Sequence, residues 1–128
     1  MGKDQLIDYA LQLGSDCPFF IRNKPCYATG RGEKMEAIEL NLSNYKIVLV
    51  NPGIHVHTGK AFSKIIPSDK RESIKEIIQQ PIEQWKNILK NDFEESVFAD
   101  HPEIKTVKEK LYGKGAVYAS MSGSGSSV

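Results

Sequence analysis

The chain has 128 residues, 40% of them hydrophobic and 26% charged, enough for one modest domain of ordinary globular composition. Seventeen basic residues against sixteen acidic ones give a formal charge of +1, and the signs are mixed along the chain, which excludes a broad nucleic-acid footprint or a charged tail. No apolar run approaches the ~20 residues of a spanning helix, the start lacks the apolar core of a signal peptide, and Cys17 and Cys26 fit no zinc or CxxC spacing. The expectation is a cytoplasmic protein with two reduced, partly buried thiols, no membrane contact and no nucleic-acid partner.

Residues 3–13 carry an amphipathic helix pattern, with Leu6, Ala10 and Leu13 on one face and Gly14 as its stop. Pro18 disfavours a helical Cys17, so "PFFIR" and "CYATG" are predicted as short strands joined around Asn23–Pro25. "GRGE" is a turn, with Gly30 and Gly32 free to take positive φ. "MEAIEL" alternates as a half-exposed strand. "YKIVLV", Tyr45 to Val50, is the strongest strand signal and is expected at the centre of a sheet. Thr58 is predicted to cap a short helix through Ile65. Ser68 is the expected cap of a helix carrying Ile74, Ile77 and Ile78. Pro81 opens another, with Trp85, Ile88 and Leu89. "NDFEESVFADH" reads as a helix with Phe93, Val97 and Phe98 inward. Asp100 is expected to cap a last helix, striped by Ile104, Val107 and Leu111 and ended by Gly113. "GAVYASM" is a final strand and "SGSGSS" a loop. A helix, several strands, a helical run and one strand make an α+β fold with a largely antiparallel sheet.

Four places could carry chemistry. Asp16 lies between a helix stop and a proline, on backbone rigid enough for a catalytic base; an aspartate there also serves as a plain turn cap. "SGSGSS" brings backbone N–H groups close enough together to nest an anion, or is simply a flexible turn. His55 and His57 alternate in "NPGIHVHTGKAF" but have no acidic or cysteine partner, so no metal site is expected. Phe62, in the helix that follows, suits either a core or a base-stacking role. Arg31 sits in the tight turn, where a surface arginine and a ligand contact are both open.

The order of these segments resembles the GHMP kinase superfamily, and within it the branch acting on 4-diphosphocytidyl-2-C-methyl-D-erythritol. The residues that carry the resemblance are "LGSDCPFF", "GRGE", "PGIHVHTGKAF" and "MSGSG", in that order. It implies an ATP-dependent phosphorylation of the substrate's 2-hydroxyl, in the non-mevalonate supply of isoprenoid precursors. Asp16 matches the catalytic aspartate of the family. Arg31, Thr58 and Phe62 match substrate-pocket positions, with an aromatic ring packing on cytosine. Gly123, Ser124 and Gly125 match the late glycine-rich loop near the phosphates. The resemblance places residues 1–33 in the tail of the N-terminal kinase domain and residues 34–128 in the C-terminal domain, truncated at its end. The family's Pro-x-x-x-Gly-Leu-Gly nucleotide loop and its catalytic lysine do not occur in these residues. ATP and Mg²⁺ are therefore expected to be held mainly by a missing N-terminal part, and the isolated chain is expected to be inactive and prone to self-association. Another GHMP small-molecule kinase, or a non-catalytic module binding a nucleotide-like ligand, are the alternatives.

Overall fold

The computed structural model describes residues 2–68, 70 and 72–128. The chain divides into two units, Met1–Tyr45 and Lys46–Val128.

The first unit opens with helix α1, Lys3–Leu13. The amide of Gly14 closes its last turn on the Ala10 carbonyl, 3.2 Å away. The predicted apolar face is only partly used: Ala10 is buried, whereas Leu13 remains 84% exposed. A second helix, α2, spans Cys17–Arg22 and replaces the strand expected at "PFFIR". Pro18 decides the difference. It falls in the first turn, where its missing N–H is one the helix could not have paired anyway, and it is almost fully enclosed. Asn23 ends α2 in the left-handed conformation, with its amide on the Phe19 carbonyl at 2.7 Å. Strands β1, Cys26–Thr29, and β2, Lys34–Ala37, then pair antiparallel, with Cys26 opposite Ala37 and Thr29 opposite Lys34. The predicted "GRGE" turn joins them.

The second unit is helical, with α3 (Thr58–Ser63), α4 (Ile74–Ile77), α5 (Ile82–Ile88), α6 (Phe93–Asp100) and α7 (Pro102–Gly113). Its core joins Ala61 of α3, Val97 of α6 and Ile104 of α7 to Met121 and Val128, with Phe93, Phe98, Val107 and Leu111 packed around them. The inward residues expected of "NDFEESVFADH" and the Ile104 stripe are thus in place. Several caps move by a residue or more. His57, not Thr58, precedes α3, and its Nδ1 accepts the Lys60 amide at 3.2 Å. Ser73 rather than Ser68 precedes α4. His101 precedes α7, and the Asp100 carboxylate is turned to two lysines instead.

The sheet described is the β1–β2 pair, so the fold is α+β with fewer strands than expected. "YKIVLV" forms no ladder among the described residues: Ile47, Val48 and Leu49 are 84%, 64% and 72% exposed. Of its described residues Val50 pairs with a distant segment, exchanging both amide–carbonyl bonds with Val128 at 2.8 and 2.9 Å, while the Tyr45 amide closes a local turn on Leu42 O. "GAVYASM" is likewise held by side chains rather than by a ladder. The Tyr112 hydroxyl takes the Ala119 amide and donates to the Ala119 carbonyl, each at 3.1 Å, and the Tyr118 hydroxyl donates to Leu89 O at 3.1 Å. Burial raises the Tyr118 phenol above its ordinary value, partly opposed by a bond with Ser120.

Candidate functional site

Asp16 stands immediately before α2, and its carboxylate makes no capping bond to the helix. The turn-cap reading therefore does not describe it. The carboxylate lies instead against the β1–β2 turn, where Gly32 has φ 109°. A Cβ on Gly32 would come 2.7 Å from Asp16 Oδ1, so glycine is required there both by the backbone angle and by the acid beside it. Asp16, Phe19, Phe20, Cys26, Ala28, Gly32 and Met35 line a cavity of about 290 Å³. Its apolar walls surround a single carboxylate, an arrangement suited to presenting a base to a bound hydroxyl. Arg31 is exposed at the same turn. Its amide donates to Glu33 Oε2 at 2.6 Å, and the N–H groups of Glu33 itself and of Arg31 hold the Glu33 carboxyl below the usual range. Cys17 and Cys26 are both free thiols.

In the second unit, Thr58 and the glycine–serine loop come together: Thr58 Oγ1 lies 3.2 Å from Ser124 Oγ. Phe62, 61% exposed, meets Phe93 edge to face at 4.8 Å, which leaves much of the ring open. Gly123 and Gly125 take φ 54° and 96°, and the Gly125 amide closes the loop on Ser122 O at 3.0 Å.

The residues that hold this loop carried no signal in the sequence reading. Asn91, just before α6, donates from Nδ2 to Met121 O at 2.7 Å and to Gly123 O at 2.8 Å. Its Oδ1 accepts the Phe93 amide at 2.9 Å. Glu94, nearly buried, takes the Met121 amide at 2.8 Å on Oε1 and pairs with Lys108 Nζ at 2.6 Å on Oε2. The sequence pattern puts Asn91 inside the helix predicted over "NDFEESVFADH", and its bond to the Phe93 amide follows only from α6 starting at Phe93. Glu94 was hidden because the Glu94–Glu95 pair in an amphipathic pattern reads as surface.

A further cavity of about 220 Å³ is lined by His55, His57, Lys60, Lys64, Asp100 and His101, among others. Lys64 and Lys60 reach Asp100 at 2.8 and 3.1 Å. Their hydrogen bonds, Lys64 first, hold the Asp100 carboxyl below its ordinary value. Among the described residues no group of three or more His, Cys, Asp or Glu side chains is placed to hold a metal ion. No described helix is long and apolar enough to cross a membrane.

Residues 73–128 match the family described as GHMP kinases C terminal. Along 126 residues, 98% of this chain, the sequence is 54% identical to a 4-diphosphocytidyl-2-C-methyl-D-erythritol kinase of Azobacteroides pseudotrichonymphae, of which it covers 47%. It is 52% identical over its whole length to the protein of the same name in Bacteroides thetaiotaomicron, again covering 47%. The chain thus spans about half the length of the curated relatives it matches. A crystal structure of 4-(cytidine 5'-diphospho)-2C-methyl-D-erythritol kinase superposes with a TM-score of 0.75 at 27% identity, over 95% of this chain and 46% of that one. Motif order, helical core and these likenesses agree, and residues 73–128 carry a C-terminal domain of the GHMP kinases.

Proposed function

We propose that this chain is the C-terminal part of a kinase that transfers the γ-phosphoryl group of ATP to the 2-hydroxyl of 4-diphosphocytidyl-2-C-methyl-D-erythritol, a cytoplasmic step of isoprenoid precursor synthesis. The observation that carries the reading is 50–54% identity, along essentially the whole chain, to kinases named for that substrate. Asp16 accepts the proton as the hydroxyl oxygen attacks phosphorus, and ADP leaves. Its uncapped carboxylate in an aromatic-walled cavity supports that role. Arg31, Thr58 and Phe62 contact the substrate, Phe62 with the open face of its ring. Gly123, Ser124 and Gly125 face the phosphates. In this reading residues 1–33 end the family's N-terminal domain and residues 34–128 form the C-terminal one. ATP and Mg²⁺ are held mainly by residues outside these 128.

The test compares this chain with a polypeptide that joins it to a GHMP nucleotide half. Phosphorylation of the diphosphocytidyl substrate is expected only from the joined form. Asp16→Asn there should lower kcat by about 10²–10⁴-fold, the range of a lost general base, and leave substrate affinity unchanged. Turnover of another alcohol in preference would favour a different GHMP kinase. Binding without any turnover in the joined form would favour a ligand-binding module. The exposed Ile47–Leu49 run supports self-association of the chain by itself; a strictly monomeric mass by sedimentation at high concentration would oppose it.

A further inference from the structure

We propose that Asn91 is a positioning residue whose side-chain amide sets the direction of the loop's free N–H groups. The peptide between Gly123 and Ser124 is trans, the cis bond of the loop lying at Gly125–Ser126. In a trans peptide the carbonyl and the N–H point to opposite sides. Asn91 Nδ2 draws the Gly123 carbonyl to itself at 2.8 Å, so the Ser124 N–H is aimed away from Asn91. The same amide group holds the Met121 carbonyl at 2.7 Å, and two carbonyls on one NH₂ group use both of its protons. The loop is therefore gripped on both sides of Ser122.

The outcome is visible in the amides that follow. Ser122 N–H is spent on Ser127 O and Gly125 N–H on Ser122 O. The Gly123 and Ser124 N–H groups meet no acceptor among the described residues. Successive N–H groups with a left-handed glycine among them, here Gly123 at φ 54°, form a concavity that suits an anion. The Thr58 and Ser124 hydroxyls, 3.2 Å apart, spend one O–H on each other and leave one as a donor beside it. Asn91 touches no ligand itself. It acts by fixing which side of the backbone the donors occupy.

This inference rests on the reading of the loop as phosphate-facing, and its test does not depend on phosphoryl transfer. Inorganic phosphate is titrated into the uniformly ¹⁵N-labelled chain and amide shifts are followed in wild type, Asn91→Asp and Asn91→Leu. Asp keeps the acceptor for Phe93 N–H and loses the donor; Leu is of similar size and uncharged. Phosphate should move the Gly123 and Ser124 amides of wild type. Both variants should weaken that response by about five- to tenfold, the effect of losing one or two hydrogen bonds. They should also shift Ser122–Gly125 while α5 and α7 resonances stay in place. Unchanged loop shifts and phosphate response in the variants overturn the proposal. So does weakening in Asn91→Asp alone, which would be a charge effect. A wild-type chain whose Gly123 and Ser124 amides ignore phosphate overturns it as well, and collapse of both variants would make Asn91 a residue of the fold. Failure of the kinase reading would appear separately, as absence of transfer in the joined protein.

Discussion

Among the described residues, those up to Tyr45 bury only Ala10 and Pro18, while those from Lys46 onward enclose Ala61, Ile77, Trp85, Val97, Ile104, Ala119, Met121 and Val128. The two units therefore hold their candidate residues by different means. Asp16 is placed by short-range devices: a proline inside the first turn of α2 and a glycine that leaves room for the carboxylate. The glycine–serine loop is placed from behind by a packed core, through Asn91 and Glu94 at the start of α6. Local devices place a side chain without providing much stability, whereas core anchoring does both.

The sharpest way to break this contrast is to cut a cavity in one unit and a surface change in the other. Ile104→Ala should cost about 3 kcal/mol in denaturant unfolding, because Ile104 is completely buried. Leu13→Gln should stay within about 0.5 kcal/mol, since Leu13 is 84% exposed. Comparable losses would mean that the first unit has a core of its own.

Next in size is the ion pair behind the loop. Lys108→Met should cost about 2 kcal/mol by the same measurement, below the roughly 3–5 of a fully buried pair, because Lys108 keeps 22% of its side-chain exposure. Glu94→Gln should cost less, since an amide oxygen still accepts the Met121 N–H. Thr58→Val removes a contact at the surface of the loop and should cost about 0.5 kcal/mol; a larger loss would show the hydroxyl pair to be part of the anchoring.

Smallest is the effect of Asp100, which is partly exposed and screened by solvent. Its folded carboxyl titrates below the ordinary value because of Lys64 and Lys60. The stability it lends is complete above the unfolded value, near pH 4, and is lost as pH falls through the lower folded value. Replacing both lysines with methionine should raise its titration midpoint, read by carboxyl ¹³C shifts, and flatten the acid limb of the stability curve. An unmoved midpoint would show that the lysines do not cause the depression.

The helices of α1, α5, α6 and α7 were legible from apolar spacing and from Gly14, Pro81 and Gly113, because helix periodicity and end signals are local. The β1–β2 turn was legible from its glycines. Asp16 and the glycine–serine loop stood out as residue types in a familiar order, and the order rather than any single residue carried the resemblance. "PFFIR" was misread because proline excludes helix at the residue before it far less firmly than it starts one, and Pro18 had a helix to start.

What the sequence determined alone was therefore the helix pattern, the tight turn, the α+β class and the motif order, all set within a few residues of each position. The tertiary structure decided which strand-like runs found partners: among the described residues "YKIVLV" meets another strand-like segment only where Val50 pairs with Val128, since a ladder needs a second strand that no local pattern supplies. It also decided that Asp16 lies against Gly32, that Asp100 serves two lysines instead of a helix end, and that Asn91 and Glu94 reach across about 30 residues to the loop. Each is a contact between segments distant in sequence, fixed by packing and by the need of buried polar groups for partners.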